Sequence, residues 1–169
     1  VIPTYNRSAW LVGALESVMS PSFQQRHTYD ALGRPQSVNS MVQGASLVTA
    51  YTYDPVSGLR DTITYPATGA VAPLRVRQHH DRGRLVELTD ADSGQRFWRL
   101  DGLDAFGHVT GESLGNGVQV ASRYDVVHGW LLERMGGPGG GASHQNLAYE
   151  WDAAGNLLAV NSAGGMSVV

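Results

Sequence analysis

The segment Tyr29-Asp30-Ala31-Leu32-Gly33-Arg34 returns 24 residues later as Tyr53-Asp54-Pro55-Val56-Ser57-Gly58-Leu59. Six segments share this pattern: an aromatic or hydrophobic residue, then Asp, then Gly two to four positions later. The other four begin at His80, Leu103, Tyr124 and Trp151, and the Asp-to-Asp steps are 24, 27, 23, 21 and 27 residues. A regular step of this size is typical of a repeat architecture.

Each repeat predicts the tip of a β-hairpin. An Asp side chain accepts backbone N–H bonds two residues on, and Gly supplies the positive φ that closes the turn. We therefore assign a structural turn role, and no catalytic, cofactor or metal role, to one set of residues. The set is Tyr29, Asp30, Gly33, Tyr53, Asp54, Gly58, Asp81, Gly83, Asp104, Gly107, Tyr124, Asp125, Gly129, Trp151, Asp152 and Gly155.

A second set of turn signals lies between the repeats, for example Gln43-Gly44, Asp92-Ser93-Gly94, Asn116-Gly117 and the glycine-rich loop 136–141. Turns at both ends predict an all-β chain in which about twelve strands form one antiparallel ribbon. The expected strands are 23–29, 36–42, 47–53, 59–65, 74–80, 84–89, 95–100, 108–114, 118–124, 130–135, 145–151 and 157–161.

The positions of the turns and strands predict three parts of the chain: a leading segment 1–22, six repeats over 23–161, and a tail 162–169. The leading segment is ambiguous. Asn6 or Ser8 could cap a helix that Pro21 stops, but Gly13 weakens a helix and the Val residues fit a strand equally well.

The Tyr-Asp-x-x-Gly-Arg pattern resembles the YD repeats of rearrangement hot spot (RHS) proteins, of insecticidal toxin-complex shells and of teneurins. Segments such as Phe97–Leu100 and Gln145–Leu157 carry the likeness, which extends over about 23–161. The resemblance implies an arc of a larger spiralling hollow shell. His80 and Leu103 depart from it by replacing Tyr, and Gly58 and Gly129 come one position late, which predicts looser turns.

The resemblance also implies a function: a non-catalytic part of a bacterial, secreted or cell-surface toxin that encapsulates a toxic C-terminal polypeptide. The implied partners are neighbouring repeats of the same protein, the enclosed polypeptide and a delivery apparatus. The alternative is an extracellular module that binds carbohydrate or a protein, in which Trp98, Trp130, Trp151 and Tyr51 stack on the ligand. Cross-strand packing of these rings is the competing interpretation.

Composition excludes several other classes. The twelve basic residues are all Arg, and the net charge is −3, which disfavours nucleic-acid binding. A chain without Cys has no disulfide, thiolate zinc site or cysteine nucleophile. The longest apolar run, 9–15, is too short to span a bilayer. We expect no cofactor.

Two short motifs suggest chemistry, but each has a simpler interpretation. Gly111-Glu112-Ser113-Leu114-Gly115 matches the nucleophile elbow of hydrolases, a motif that requires a strand before the Ser and a helix after it. Asp90-Ala91-Asp92-Ser93-Gly94 hints at a calcium loop but lacks the spacing of an EF-hand. We interpret the first as a strand end and the second as a hairpin turn.

Overall fold

The computed structural model describes residues 1–7, 11–67, 69–162 and 167–168. These residues form antiparallel strands and no helix, so the all-β ribbon predicted from the repeats is confirmed. The strands are β1 (Ile2–Tyr5), β2 (Leu15–Ser20), β3 (Phe23–Tyr29), β4 (Pro35–Val42), β5 (Ala45–Tyr53), β6 (Arg60–Thr64), β7 (Arg75–Asp81), β8 (Arg84–Asp90), β9 (Arg96–Leu103), β10 (Val109–Leu114), β11 (Val118–Tyr124), β12 (Leu131–Pro138), β13 (Gln145–Trp151), β14 (Leu157–Ser162) and β15 (Ser167–Val168).

Strand order in the sheet follows chain order. The chain divides into two compact units. The first comprises Val1–Arg84 with Asp90–Gly94, and the second comprises Leu85–Thr89 with Gln95–Val169. Most of the connections are short hairpins, the simplest connection for antiparallel strands, and the longer ones join β1 to β2 and β6 to β7.

Strands β3 to β14 correspond one by one to the twelve expected from the sequence, and most ends agree within two residues. The largest differences are β9, which continues to Leu103, and β12, which continues to Pro138. The first half of the predicted loop 136–141 is therefore strand. Backbone pairing of Gln119 with Gly137 and of Val118 with Pro138 overrides the weak strand propensity of these residues.

The described part of the leading segment is also a hairpin. Strand β1 pairs with β2, and β2 pairs with β3. The helical alternative does not form in residues 1–7 and 11–22. Ser8, one of the two candidate caps, lies outside the described residues, as does Trp10.

A β-bulge accompanies the repeat turns. The register shifts next to the residue that precedes Asp30, Asp54, Asp104, Asp125 and Asp152. In each hairpin one extra residue lies on the strand that leaves the turn. Bulges increase local twist and re-aim side chains, so the repeats share a backbone irregularity as well as a sequence.

Neither unit contains a hydrophobic core among the described residues. No hydrophobic side chain there is buried, and the buried polar residues are Thr62 and Ser122, which are 4% and 8% exposed. Side chains are shielded only by their neighbours on the same sheet.

The two faces of each unit nevertheless differ. Burial alternates along β3, β11 and β13, with every second residue half-buried. In the first unit the half-buried side includes Phe23, His27, Val38, Tyr51 and Tyr53, and in the second it includes Trp98, Val120, Tyr124, Leu147 and Trp151. We call this side of each unit its aromatic face and the opposite side its ion-pair face.

Candidate functional site

The Asp30 turn shows how a repeat closes. One carboxylate oxygen of Asp30 accepts the amide protons of Leu32 and Arg34, each at 2.9 Å. The other oxygen accepts the Arg34 Nε–H at 2.7 Å. Backbone bonds join the Asp30 N–H to the Arg34 carbonyl and the Gly33 N–H to the Asp30 carbonyl. The carboxylate thus holds both the tip and the exit of the turn.

The Asp104 and Asp152 turns repeat this network with other side chains. At the position of Arg34 they carry His108 and Asn156, whose side chains contact the second carboxylate oxygen at 2.7 and 2.8 Å. Gly107 and Gly155 have φ of +88° and +84°. The turn requires a donor after its Gly, and guanidinium, imidazole and amide groups all supply one.

The Asp54 and Asp125 turns contain one more residue before the Gly. Asp54 accepts the amide of Ser57 at 2.6 Å and its hydroxyl at 2.7 Å, and Asp125 accepts the amide of His128 at 2.6 Å. Backbone bonds close both turns from Gly58 and Gly129. The late Gly does not loosen these turns, because the added residue, Ser57 or His128, supplies the amide and side-chain donors that Arg34 supplies to Asp30.

The Asp81 turn is of a different kind. Asp81 ends β7, and only Arg82 and Gly83, with φ of +49° and +82°, connect it to β8. Positive φ at both central residues is the geometry of the two-residue hairpin that matches strand twist. Gln43 and Gly44 adopt the same conformation between β4 and β5. A Gly only two positions after the Asp leaves no loop for the carboxylate to cap.

Hydrogen bonding lowers the pKa of the carboxyl groups in five of the repeat turns. The amide and hydroxyl of Ser57 lower the pKa of Asp54, the amide of His128 lowers that of Asp125, and the side chain and amide of Asn156 lower that of Asp152. For Asp30 and Asp104, desolvation is the largest single influence and raises the pKa. At Asp30 the bonds from Arg34 and Leu32 together outweigh desolvation, and at Asp104 those from His108 and Phe106 do so, so both pKa values are lowered.

The aromatic residue of a repeat reaches back to the preceding hairpin. The Tyr53 hydroxyl donates to the Pro35 carbonyl at 2.7 Å, and Pro35 is paired with Tyr29. The Tyr29 hydroxyl donates to the Leu15 carbonyl at 2.7 Å, and the Trp151 indole N–H donates to the Leu131 carbonyl at 2.8 Å. Each acceptor lies at the start of the strand that leaves the previous turn, so these bonds link one repeat to the next.

The other three repeats show no such bond among the described residues. Tyr124 stacks on His108 with ring centroids 4.6 Å apart, and no hydrogen bond of its hydroxyl occurs among the described residues. Leu103, which replaces the aromatic residue, ends β9 opposite Val109. His80 lies within β7 beside Asp81.

A further contact lies beside the repeat aromatic residue Tyr53. The Arg34 guanidinium lies 4.1 Å from the ring centroid of Tyr53, and its Nη1 donates to the Gly58 carbonyl at 3.3 Å. A Cβ added to Gly58 would lie 3.7 Å from that nitrogen. The residue after one turn Gly therefore packs over the aromatic residue and the Gly of the next repeat.

The second unit contains the same arrangement with rings in place of the guanidinium. A Cβ on Gly129 would lie 2.9 Å from His108 Cε1, and a Cβ on Gly155 would lie 3.2 Å from Trp130 Cζ2. Trp130 also packs at 6.0 Å against Trp151. We call these contacts in each unit the repeat-turn row. Sequence reasoning assigned the Gly residues to positive φ alone and missed their second role as spaces for the neighbouring side chain.

The leading hairpin uses the same backbone closure. The Asn6 N–H donates to the Ala14 carbonyl and the Gly13 N–H to the Asn6 carbonyl, as Asp30, Arg34 and Gly33 do in their turn. Gly13 has φ of +86°, and a register shift lies beside Tyr5. Tyr5-Asn6 thus corresponds to a Tyr-Asp pair, with four more residues before its Gly. The sequence feature that could have revealed this turn is the 24-residue step from Asn6 to Asp30, which equals the step from Asp30 to Asp54.

The other motifs occupy ordinary strand and turn positions. Ser113 lies in β10, donates to Asp101, and is followed by a turn into β11 rather than by a helix. Asp90 accepts the amides of Asp92 and Ser93, which makes the calcium-like stretch a capped turn like that of Asp54. Among the described residues no group of three or more His, Cys, Asp or Glu side chains could hold a metal ion. No helix of the described residues is long and apolar enough to cross a membrane.

No protein-family model matches the chain, and no curated protein matches it. It is similar to chains in solved toxin complexes. One is TcdB2-TccC3 without its hypervariable C-terminal region, with 16% identity and a TM-score of 0.40. Another is the Tc holotoxin pore of Photorhabdus luminescens with a mutated TccC3, with 16% identity and a TM-score of 0.39. In both cases the match covers 89% of this chain and 11% of the other.

Proposed function

We propose that this chain is a structural part of an RHS-type β-shell, which encapsulates a toxic C-terminal polypeptide in a bacterial polymorphic or insecticidal toxin. The observation that carries the proposal is the link between repeats. The aromatic residue of one repeat bonds to the backbone of the preceding hairpin, as in the Tyr53 bond to Pro35. Such links extend a sheet by nearest-neighbour contacts, as a wall requires.

The mechanism is containment without catalysis. Strand pairing satisfies the backbone, and turn carboxylates such as Asp30 are occupied by turn donors. The described residues have no buried hydrophobic side chain, so stability must come from strand pairing, turns and neighbouring parts of a longer protein. The neighbouring repeats, the enclosed polypeptide and a delivery apparatus are the partners. A secreted or cell-surface location follows from this role.

Limited proteolysis of the full-length gene product tests the proposal. We expect the polypeptide that follows the repeats to resist protease in the native protein and to be digested once denaturant opens the shell. The same polypeptide expressed alone is the control and should be digested at once. Equal digestion in the native protein and in the control would contradict encapsulation.

The alternative function is a carbohydrate- or protein-binding module. Binding of a sugar by stacking on Trp rings is disfavoured, because these rings already contact other side chains. Trp130 already stacks on His128 with centroids 4.3 Å apart, and Trp98 donates to Glu112. Glycan-array binding that is lost in Trp130→Ala and Trp151→Ala would favour this alternative. A shell predicts no such signal.

A further inference from the structure

One strand position recurs in the hairpins that have a bulge. It is the first residue of the strand that leaves the turn, and it pairs with the residue that precedes the turn Asp or Asn. At the Asp54 turn this residue is Arg60, which pairs with Tyr53. At the other turns with a described bulge it is apolar: Leu15, Pro35, Val109, Leu131 and Leu157. Among these hairpins, a charged residue at this position is therefore specific to one repeat.

Arg60 has no acidic partner among the described residues. Its neighbour Asp61 lies 3.9 Å from Arg77 and accepts the Thr62 hydroxyl at 2.8 Å. The Nε of Arg60 is buried, and its N–H has no acceptor within the described part of the chain. Because a guanidinium cannot give up its charge and a buried donor without an acceptor is costly, this side chain calls for a partner.

The other Arg residues of the first unit are either paired or exposed. Arg34 pairs with Asp30 at 2.7 Å, and Arg26, which has no ion pair among the described residues, is exposed to water. Arg60 is half-buried, and its Cζ lies 4.8 Å from the centroid of the Tyr51 ring. A ring face attracts the positive charge but supplies no oxygen acceptor for the guanidinium N–H groups. The first unit thus leaves one half-buried cation without a counter-charge on its aromatic face.

We propose that Arg60 binds the side-chain carboxylate of an Asp or Glu from a segment of the full-length protein outside residues 1–169. A carboxylate has the charge that this position lacks, and its two oxygens match two N–H groups of a guanidinium. The chain uses the same chemistry at Arg34, which donates to the Asp30 carboxylate. The apolar residues at the equivalent positions cannot make this contact, so it distinguishes the Asp54 repeat from its neighbours. The inference does not depend on encapsulation.

The absence of Lys from the chain allows a direct test in the full-length protein. Arg60→Lys keeps the positive charge and introduces an amine, which a water-soluble carbodiimide joins to a carboxylate in contact with it. Mass spectrometry of the digested protein then identifies the residue joined to position 60. Arg123→Lys is the matched control, because Arg123 lies 2.7 Å from Glu133, and it should give a crosslink to Glu133.

We expect the amine at position 60 to be joined to an Asp or Glu outside residues 1–169. Crosslinks confined to residues 1–169, such as to the adjacent Asp54 or Asp61, would overturn the proposal. So would the absence of any crosslink from position 60 while the Arg123→Lys control reacts. A crosslink outside residues 1–169, found in a protein whose following polypeptide is digested in the native state, would support this inference while contradicting encapsulation.

A second variant gives a readout that does not depend on crosslinking. Arg60→Leu introduces the residue that occupies the equivalent positions 131 and 157, and it removes the positive charge. We expect a lower thermal unfolding midpoint of the full-length protein, because the partner carboxylate loses its counter-charge. Arg26→Leu is the control and should leave the midpoint unchanged, since Arg26 is exposed. An unchanged or raised midpoint for Arg60→Leu would overturn the proposal.

Discussion

The turns at Asp30 and Asp81 look alike in sequence, since both place Gly-Arg shortly after His/Tyr-Asp, but they differ in structure. At Asp30 the carboxylate caps the loop, and the following Arg34 reaches the next repeat. At Asp81 two residues with positive φ make the turn, and nothing lies within 4 Å of a Cβ built on Gly83. The spacing from Asp to Gly, rather than the residue types, decides whether a repeat turn is capped.

The largest expected effect is on the free energy of unfolding, and it distinguishes a turn Gly that contacts a neighbouring side chain from one that only adopts positive φ. Gly129→Ala should destabilise the chain by about 2–3 kcal/mol, because left-handed φ strain is joined by a clash with the His108 ring. Gly83→Ala should cost only about 1–2 kcal/mol, from backbone strain alone. Chemical denaturation of both variants measures the difference, and equal losses would mean that His108 does not pack against Gly129.

A smaller effect is expected from the aromatic link. Tyr53→Phe removes the hydroxyl bond to Pro35 and should destabilise by about 0.5–1.5 kcal/mol. Tyr124→Phe is the matched control, because its hydroxyl has no hydrogen bond among the described residues, and should change the unfolding free energy by less than about 0.5 kcal/mol. The comparison fails if both variants lose the same stability.

The smallest effect concerns charge. The pKa of Asp30 is lowered in the folded chain from its ordinary 3.8, so its carboxylate stabilises the fold above that pH. The contribution is lost as pH falls through the lowered folded value. Asp30→Asn should therefore reduce the unfolding midpoint at pH 7 and flatten its decline below about pH 4. Asp81→Asn should change the midpoint little at pH 7, and an equal reduction there would contradict the capping role.

Much of this fold could be predicted because turn chemistry is local. Asp and Gly mark the hairpins, alternation marks the strands, and β3, β11 and β13 have the expected limits. The Asn6 turn was missed because four extra residues separate Asn6 from Gly13. The repeat-turn row could not be predicted, since local turn chemistry accounts for the bond of Arg34 to Asp30 but does not show that Arg34 also lies over Tyr53 of the next repeat.

The central feature of the repeat-turn row is that a residue after one turn Gly couples its repeat to the next. A double-mutant cycle of Arg34→Ala and Tyr53→Leu, measured by chemical denaturation of the full-length protein, tests this directly. We predict a coupling free energy of about 0.5–1 kcal/mol, as for a cation over an aromatic ring at a partly exposed site. Arg84→Ala with Tyr53→Leu is the control and should give additive losses. Additive losses for Arg34 and Tyr53 as well would contradict coupling between repeats.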